Sequence, residues 1–451
     1  MSTALIILAA GQGTRMQSDL PKVLHQVAGA PLLIHAMKSG TALDPERTVI
    51  VAGVGAPQVA AVAQDYDDRA EVVIQDEQHG TGHAVLCARD ALAGFSGDAI
   101  VLYGDTPFIQ PETLEKMAAA RADHDVVVLG FKAADPGRYG RLIMAGDTLE
   151  AIVEHADATH EQRTINLCNS GVVCASSEIL FSLLDDVKSD NASGEYYLTD
   201  IVAIARARGL SATAVTCDEA ETLGVNSRAQ LAQAEAAFQS RARGDALENG
   251  VTLQAPETVY FAHDTVIGRD ALIEPNVVFG PDTTVESGAR IRAFSHLEGC
   301  HVSRGAIVGP YARLRPGAEL AEDVHVGNFV EIKNATLAQG AKANHLTYIG
   351  DASIGEATNI GAGTITCNYD GVMKHKTEIG ARVFIGSNTM LVAPVRVGDE
   401  AMTATSTTVT KDVPDGAMAI GRVEQVNKPG MARKLMDILR AKKAKRMKDA
   451  Q

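Results

Sequence analysis

Hydrophobic residues between positions 267 and 409 recur every six residues, a spacing that fits neither the two-residue period of a strand nor the 3.6-residue period of a helix. The first series comprises Ile267, Ile273, Phe279, Val285, Ile291 and Leu297. After a slip of one residue it continues at Val302, Val308, Leu314, Leu320, Val326 and Ile332, is interrupted twice, and returns at Ile354, Ile360, Ile379, Ile385, Leu391 and Val397. One buried residue per short flat face is typical of a parallel β-helix, in which each coil packs on the next. Irregular antiparallel strands are the alternative.

Residues 4 to 216 show a different pattern, in which short aliphatic runs alternate with helix-like stretches. The aliphatic runs cover residues 4–10, 48–52, 72–75, 99–103 and 126–131, and helix-like stretches cover 59–66 and 83–92. Continuous aliphatic runs are typical of strands buried on both faces, so we predict a doubly wound α/β domain with a mostly parallel sheet. Ligands of such sheets bind at the carboxyl ends of the strands, and the loops after Leu8, Gln75 and Tyr103 are therefore expected to face one site.

A single helix is predicted to join these two regions. Residues 227–247 are rich in Ala, Gln, Glu and Arg, Ser227 is a typical N-cap, and Leu231, Ala234 and Phe238 fall on one stripe. The predicted organisation is an α/β domain over residues 1–226, a linker helix over 227–247, and a β-helix domain with a C-terminal tail over 248–451.

Charge is unevenly distributed along the 451 residues, whose formal net charge is −15. This acidity argues against a nucleic-acid binder. The last nineteen residues nevertheless contain eight Lys or Arg and only two Asp. Such a basic tail either binds nucleic acid or an acidic partner or is a solvated terminus, and we expect the second.

The chain shows no metal-binding cysteine pattern and no membrane signal. Its six cysteines form no CxxC pair and no His/Cys ligand spacing, so reduced thiols are expected. The apolar start at residues 4–10 lacks a basic flank and leads into a glycine loop, as a first strand would. No apolar run has membrane-spanning length. We therefore predict a cytoplasmic protein without a membrane partner.

The first loop combines glycines with two cations. The string Leu8-Ala9-Ala10-Gly11-Gln12-Gly13-Thr14-Arg15-Met16 follows a strand, and Pro21-Lys22 comes five residues later. Glycine allows backbone N–H groups to approach a phosphate, and Arg15 and Lys22 supply positive charge. Met16 replaces the third glycine of a dinucleotide fingerprint, and the loop has no GK[ST]. A tight turn without a ligand is the alternative.

This string resembles the sugar-phosphate nucleotidyltransferases, and further matches follow in the order of that family. By resemblance, Leu8, Ala9, Ala10, Gly11 and Lys22 bind the nucleotide, Gln75 with Gly80 and Thr81 reads the base, and Arg15 and Lys22 are catalytic. Tyr103, Gly104, Gly140, Glu154 and Asn169 match nucleotide- and sugar-binding positions. Asp105 and Asn226 match the ligands of Mg²⁺. The string Asn169-Ser170-Gly171 departs from the family in having Ser for Thr, which keeps the hydroxyl.

The hexad region resembles the hexapeptide acyltransferases, whose β-helix is left-handed and whose three chains bind acyl-CoA between neighbouring columns. Polar strings around the interruptions match a glucosamine-1-phosphate acetyltransferase. By resemblance, His345 is the general base and Glu331 orients it, while Arg315, Lys333, Tyr348 and Asn359 bind the amino sugar phosphate. The acetyl-CoA positions are Ala362, Asn368, Tyr369, Ser387, Thr405 and Arg422. Thr405-Ser406 departs from the usual Ala-Gly.

Together the two halves resemble the bifunctional bacterial enzymes of UDP-N-acetylglucosamine synthesis, over residues 4 to about 426. The resemblance implies acetylation of glucosamine-1-phosphate by acetyl-CoA, then uridylyl transfer from UTP with release of pyrophosphate, in a homotrimer. Two other hypotheses remain open: a nucleotidyltransferase whose β-helix only assembles or regulates, and a β-helix that is a scaffold for partners. The first is disfavoured by the cluster of His345, Tyr348, Asn368 and Tyr369, and the second predicts no thiol release from acetyl-CoA.

Overall fold

The structure is a computed structural model that describes residues 2–53, 55–191 and 193–449. The chain divides into two compact units. The first comprises Met1–Asn249, Ala255–Thr265 and Phe279–Asp282, and the second comprises Gly250–Gln254, Val266–Val278 and Thr283–Gln451. The linker helix is therefore grouped with the first unit. The boundaries at residues 226 and 247 remain predictions about which segments fold independently.

A twisted, mostly parallel sheet forms the centre of the first unit. Its strands are β1 (Thr3–Ala9), β4 (Arg47–Ala52), β5 (Glu71–Ile74), β6 (Asp98–Tyr103), β7 (Val126–Lys132), β8 (Arg141–Ala145), β9 (Thr148–Val153), β10 (Leu167–Ser176) and β11 (Ala212–Cys217), while β2 (Gln26–Val27) and β3 (Ala30–Pro31) form a separate hairpin. The order is β11-β7-β10-β6-β1-β4-β5. Strand β10 is antiparallel to its neighbours β6 and β7, and β8 and β9 form an antiparallel hairpin beside it.

Both faces of this sheet are buried, which explains the continuous aliphatic runs. Along β1, Ile6 and Leu8 pack in one hydrophobic cluster, and Leu5 and Ile7 pack in another on the opposite face. Successive side chains of a strand point to opposite faces, so a strand covered on both sides needs apolar residues at every position. The predicted doubly wound α/β fold is confirmed.

The helices lie between these strands in the expected alternation. They are α1 (Leu32–Thr41), α2 (Ala56–Tyr66), α3 (Thr81–Leu86), α4 (Pro111–Ala120), α5 (His160–Arg163), α6 (Ser177–Leu184), α7 (Asp200–Ala207) and α8 (Arg228–Glu248), with short 3-10 helices at Thr14–Met16, Lys22–Leu24, Asp90–Leu92, Glu219–Thr222 and Pro256–Thr258. The helix-like stretch 83–92 is thus divided between α3 and a 3-10 turn. Ser227 caps α8 by accepting a hydrogen bond from the Gln230 N–H, as predicted.

The second unit is a parallel β-helix. Its strands are β12 (Thr252–Leu253), β13 (Val266–Ile267), β14 (Leu272–Ile273), β15 (Val278–Phe279), β16 (Thr283–Val285), β17 (Arg290–Ile291), β18 (His296–Leu297), β19 (Cys300–Val302), β20 (Ile307–Val308), β21 (Arg313–Leu314), β22 (Ala318–Leu320), β23 (His325–Leu337), β24 (Lys342–Ile354), β25 (Asn359–Ile360), β26 (Ile365–Cys367), β27 (Thr377–Ile379), β28 (Phe384–Ile385), β29 (Met390–Val392), β30 (Val395–Val397), β31 (Met402–Thr403), β32 (Thr408–Val409) and β33 (Met418–Ala419). These strands pair in parallel from one coil to the next, and the predicted left-handed parallel β-helix is confirmed.

Three faces build each coil, and the predicted inward residues stack in three columns. Column A contains Ile267, Val285, Val302 and Leu320, column B contains Ile273, Ile291, Val308 and Val326, and column C contains Leu297, Leu314 and Ile332. Each member pairs in parallel with the residue one coil later. Each six-residue repeat therefore forms one face of a coil. The slip between Leu297 and Val302 marks a face of five residues, and the three columns stay in register across it.

Only the second interruption of the hexads is a true insertion. The apparent first one is bridged by Leu337, Ala343 and Ile349, which continue the three columns. It escaped notice because two of its faces have five residues and Ala343 is small. Between Thr366 and Leu391, which pair in register, the chain makes a loop of extra residues that contains Asn368 and Tyr369.

The C-terminal helix α9 (Met431–Asp449) carries the basic tail, and its described side chains are exposed. Among the described residues, no helix combines the length and the apolar character needed to cross a bilayer.

Candidate functional sites

A pocket of about 330 Å³ opens where the chain reverses direction across the sheet, at the carboxyl ends of β1 and β6. The loops after β1, β5 and β6 all line it, as predicted for a doubly wound sheet. Its lining includes ten of the residues assigned by resemblance: Leu8, Ala9, Ala10, Gly11, Lys22, Gln75, Gly80, Thr81, Tyr103 and Asp105. The pocket also contains Gln78 and Glu195, which sequence reasoning missed because neither lies in a recognisable motif.

Two glycines shape the loops around the pocket, and one of them, Gly80, lines it. Gly13 has a φ of 62°, and a Cβ there would lie 2.7 Å from the Lys22 Cβ. Gly80 has a φ of 106°, and a Cβ there would lie 2.6 Å from the Tyr196 carbonyl oxygen. Each position requires a positive φ and leaves no room for a Cβ. Glycine is the residue that meets both requirements.

The Lys22 ammonium lies between the two residues assigned as metal ligands. It donates to the Asp105 carboxylate in a half-buried ion pair and to the Asn226 Oδ1 at 3.1 Å. A backbone hydrogen bond of 2.9 Å from the Val225 N–H to the Asp105 carbonyl brings Asn226, at the start of α8, beside the end of β6. Two side-chain oxygen atoms from distant parts of the sequence thus converge on one cation.

A second group of predicted residues lies beyond Tyr103. A Cβ at Gly140 would meet the Glu154 carboxylate at 3.3 Å, and the Gly140 carbonyl accepts a hydrogen bond from the Asn169 N–H at 2.9 Å. Burial raises the pKa of Glu154, although the Thr199 hydroxyl donates to it. Burial, followed by the charges of Asp105 and Glu154, raises the pKa of Tyr103. Gly140, Glu154 and Asn169 therefore form a polar patch near Tyr103.

Some expected residues lie outside the pocket lining. Arg15 is exposed on the 3-10 turn after the glycine loop, and Gly104 has its N–H bonded to the Leu8 carbonyl at 3.0 Å. The Ser170 hydroxyl donates to the Leu129 carbonyl at 2.7 Å, so the serine that replaces threonine serves the backbone here.

One edge of the β-helix collects residues that are far apart in sequence. Asn328 is the parallel partner of His345. Two coils further on, the N–H of Asn388, the residue after Ser387, donates to the Ala362 carbonyl. The N–H of Ser406, the residue after Thr405, donates to the Ser387 carbonyl. Each residue of the column Asn328, His345, Ala362, Ser387 and Thr405 precedes a residue with positive φ. The Arg422 guanidinium donates to the Thr405 carbonyl at 2.6 Å and extends the column. We call this column the His345 edge.

Each face of the β-helix is named after the column of buried residues that it carries. Face C, which carries column C, extends from the His345 edge to a basic corner. Tyr348 and Glu331 are neighbours in register on this face, and Arg315 and Lys333 lie at its far end. Lys374 and Arg315 lower the pKa of Lys333, as expected for clustered cations. Tyr348 thus lies between His345, at one end of this face, and the basic corner at the other.

The orienting role expected of Glu331 is not supported by its contacts. Its carboxylate accepts from the Arg315 guanidinium at 2.9 Å, three residues along the strand from the position beside His345. The group that bonds the imidazole is Asn328, at 3.0 Å. The resemblance assigned this role to Glu331, but stacking between coils, which the sequence does not display, decides the partner.

Other predicted acetyltransferase residues lie on different parts of the coil. Asn359 is on face B, in register with Lys342 and Phe384. Asn368 is at the basic corner, where its amide donates to Asp351, and Tyr369 is exposed in the inserted loop. Within one chain, therefore, Asn359 does not join Tyr348, and the acetyl-CoA residues are divided between two edges.

Comparison with known proteins agrees with this two-part architecture. Residues 5–172 match the family of MobA-like NTP transferase domains, and residues 264–299 match the bacterial transferase hexapeptide repeats. The chain is 72% identical over 448 residues to the bifunctional protein GlmU of Ruegeria sp. (strain TM1040), covering 99% of this chain and 100% of that one. It is 70% identical over 449 residues to that of Ruegeria pomeroyi, covering 100% of both, and 64% identical to that of Jannaschia sp., covering 99% and 98%. The chain therefore belongs to the GlmU family of bifunctional enzymes, which combine uridylyltransferase and acetyltransferase activities.

Proposed function

We propose that uridylyl transfer takes place in the pocket between β1 and β6, and that acetyl transfer takes place on face C of the β-helix. One observation carries this division. The first unit has a polar cluster at the carboxyl ends of β1 and β6, and the second unit has a separate polar cluster on face C. In the first reaction, an oxygen of N-acetylglucosamine-1-phosphate attacks the α-phosphorus of UTP, and pyrophosphate leaves. Lys22 supplies positive charge beside these phosphates.

The pair Asp105 and Asn226 fits a Mg²⁺ ion. Carboxylate and amide oxygens are ligands that Mg²⁺ prefers, and the ion seldom has a complete protein cage, because it keeps waters and substrate phosphates. The same two oxygens already hold the Lys22 ammonium, so their geometry accommodates a cation. When bound, Mg²⁺ would neutralise charge on the reacting phosphates.

In the second reaction His345 acts as general base. The amine of glucosamine-1-phosphate attacks the thioester carbonyl of acetyl-CoA and gives its proton to His345. The C–S bond then breaks, and the imidazolium returns that proton to the departing sulfur, so that CoA leaves as the thiol. Histidine suits this step because its pKa lies near neutral pH. Arg315 and Lys333 bind the sugar phosphate at the basic corner, with Tyr348 between them and His345. Acetyl-CoA lies along the His345 edge.

A homotrimer completes the acetyltransferase site in this proposal. Phe294, Tyr311 and Phe329 form an exposed stack on the coil edge below Leu346, with ring centroids 5.0 and 5.3 Å apart. All three have positive φ, as residues at the corners of this β-helix repeatedly do. A second copy that covers this stack would also bring its Asn359, or its inserted loop, to the His345 edge. The cytoplasm, where UTP and acetyl-CoA are made, is the expected location.

Mixing two inactive variants tests the shared site. His345→Ala and Asn359→Ala would each lose acetylation as pure proteins. If the two residues come from different copies, unfolding and reassembling a mixture in equal amounts restores about a quarter of the sites, because a closed symmetric ring pairs the chains at random. No recovery in mixed trimers would overturn the shared site. Release of free CoA and of pyrophosphate by the parent tests the two activities themselves.

A further inference from the structure

We propose that Asn328 is a positioning residue for acetyl transfer, which fixes the tautomer of His345 so that Nε2 faces the substrate amine. This inference rests on the proposed role of His345 as general base. Asn328 opens the polar string that runs to Lys333, but the resemblance assigns it no role, and its relation to His345 arises from the stacking of coils.

The geometry of two successive coils creates the contact. Asn328 and His345 are parallel partners in β23 and β24, and the residues after them, Phe329 and Leu346, have the similar φ values of 55° and 49°. The same backbone conformation in adjacent strands, about 4.8 Å apart, aims both side chains in the same direction. The Asn328 Oδ1 consequently lies 3.0 Å from the His345 Nδ1.

The chemistry of this hydrogen bond selects one tautomer. A carboxamide oxygen only accepts hydrogen bonds, so the proton of the neutral imidazole must be on Nδ1. Nε2 is then the nitrogen with a free lone pair, as a base requires. Without an acceptor at Nδ1 the neutral ring can also place its proton on Nε2, and that form cannot accept the amine proton there.

The backbone of His345 is anchored independently of Asn328. The buried Thr347 hydroxyl donates to the His345 carbonyl at 2.7 Å, and the Gly363 N–H donates to the same oxygen at 3.2 Å. Removing the Asn328 amide should therefore change the imidazole and leave the strand in place. His325 is the titratable neighbour at this edge: burial, followed by the charges of Arg292, Lys342 and His345, lowers the pKa of His325.

The first test is kinetic. Asn328→Ala should lower the kcat of acetylation roughly 10- to 100-fold, as loss of a partner that orients a functional histidine typically does. The KM for glucosamine-1-phosphate should stay within about twofold, because binding groups are untouched. Uridylyl transfer should be normal and report folding. Thr336→Ala, on the exposed side of the same strand but on another face, is the matched control and should be unchanged.

The second test uses Asn328→Asp. A carboxylate still accepts from Nδ1–H, so it should recover most of the rate lost in the alanine variant. Its negative charge favours the imidazolium, so the acid limb of the kcat profile should move to higher pH. A side chain that only filled space would not move this limb.

A double variant separates this inference from the function on which it rests. In a His345→Ala background, Asn328→Ala should cause no further loss, because Asn328 acts through the imidazole. The inference is overturned if Asn328→Ala keeps a kcat within threefold of the parent, or if its effect persists without His345. Full acetylation by His345→Ala alone would instead refute the proposed base.

Nitrogen-15 chemical shifts of the labelled His345 ring provide a readout that needs no turnover. The parent should show the Nδ1–H tautomer, and a dominant Nε2–H signal would contradict the proposal.

Discussion

The Lys22 ammonium is bonded to the Asp105 carboxylate and lies 3.1 Å from the Asn226 amide oxygen, so it takes the position between the two residues assigned as metal ligands. The lysine neutralises the same carboxylate that Mg²⁺ would neutralise. Cation binding and the release of Lys22 toward the substrate phosphates should then be coupled.

Lys22→Met tests this competition. Without the ammonium, Asp105 loses its internal counter-ion, so the free protein should bind Mn²⁺, a spectroscopic substitute for Mg²⁺, several-fold more tightly. Uridylyl transfer should nevertheless fall about 100-fold or more, because the charge on the phosphates is lost. Titration followed by Mn²⁺ relaxation measures the affinity, and Lys38→Met is the control. Unchanged or weaker Mn²⁺ binding would show that Lys22 does not compete.

Asp105→Asn should abolish uridylyl transfer and leave acetylation intact. The amide keeps the size of the side chain and removes the charge that would hold both Lys22 and the metal. Pyrophosphate release and free CoA are measured on the same sample, so the acetylation rate is the internal control. Parental pyrophosphate release in this variant would refute the ligand assignment.

His345→Ala should lose ~10² to 10⁴ of the acetylation rate, the usual contribution of a general base. The KM for the sugar phosphate should change little, because Arg315, Lys333 and Tyr348 remain. Uridylyl transfer from N-acetylglucosamine-1-phosphate should be normal. A rate within about threefold of the parent, worth only ~0.7 kcal/mol of barrier, would assign the proton to another group.

Tyr311→Asp should weaken assembly and, with it, acetylation. The Tyr311 ring is 47% exposed in the chain and stacks between Phe294 and Phe329. A carboxylate buried there between copies would lack a partner. Sedimentation should show a smaller species with about tenfold or more loss of acetylation, whereas Tyr66→Asp, at an exposed ring of the first unit, should remain assembled. A parent that sediments as a fully active monomer would refute the trimer.

The stability of the first unit should fall as the pH drops below neutrality, partly through His35. Burial lowers the pKa of His35 from its ordinary 6.5, and its Nε2 is 2.9 Å from the Val27 carbonyl. Well above pH 6.5 the ring is neutral in both states. As the pH falls through 6.5, the unfolded chain takes up a proton that the folded chain refuses, so the free energy of unfolding decreases.

His35→Gln removes this uptake and keeps a donor for Val27. Urea unfolding at pH 5.5 to 7.5 should show a shallower pH dependence, by up to about 1.4 kcal/mol per pH unit. His25 and His263, whose pKa values are also lowered mainly by burial, keep part of the slope. The exposed His160→Gln is the control, and an equal slope in parent and His35→Gln would exclude His35 as the cause.

The sequence alone determined those features that each segment carries by itself. Continuous aliphatic runs identified the sheet and period-six burial identified the β-helix, because a strand buried on both faces and a coil face each impose a local pattern. Continuous motifs such as Leu8 to Gly11 were informative for the same reason, since their residues act through one loop. Even the inserted loop at Asn368 could be predicted as a break in the period.

Tertiary structure decided every relation that depends on stacking between separate segments. The proximity of Asp105 to Asn226 requires the end of β6 to meet the start of α8, and the bond from Asn328 to His345 requires two coils to stack with one register. The resemblance suggested Glu331 for that bond, whereas a strand separation of about 4.8 Å makes Asn328, in register with His345, the closer neighbour. Contacts across coils depend on the summed lengths of all intervening faces, which no local pattern contains.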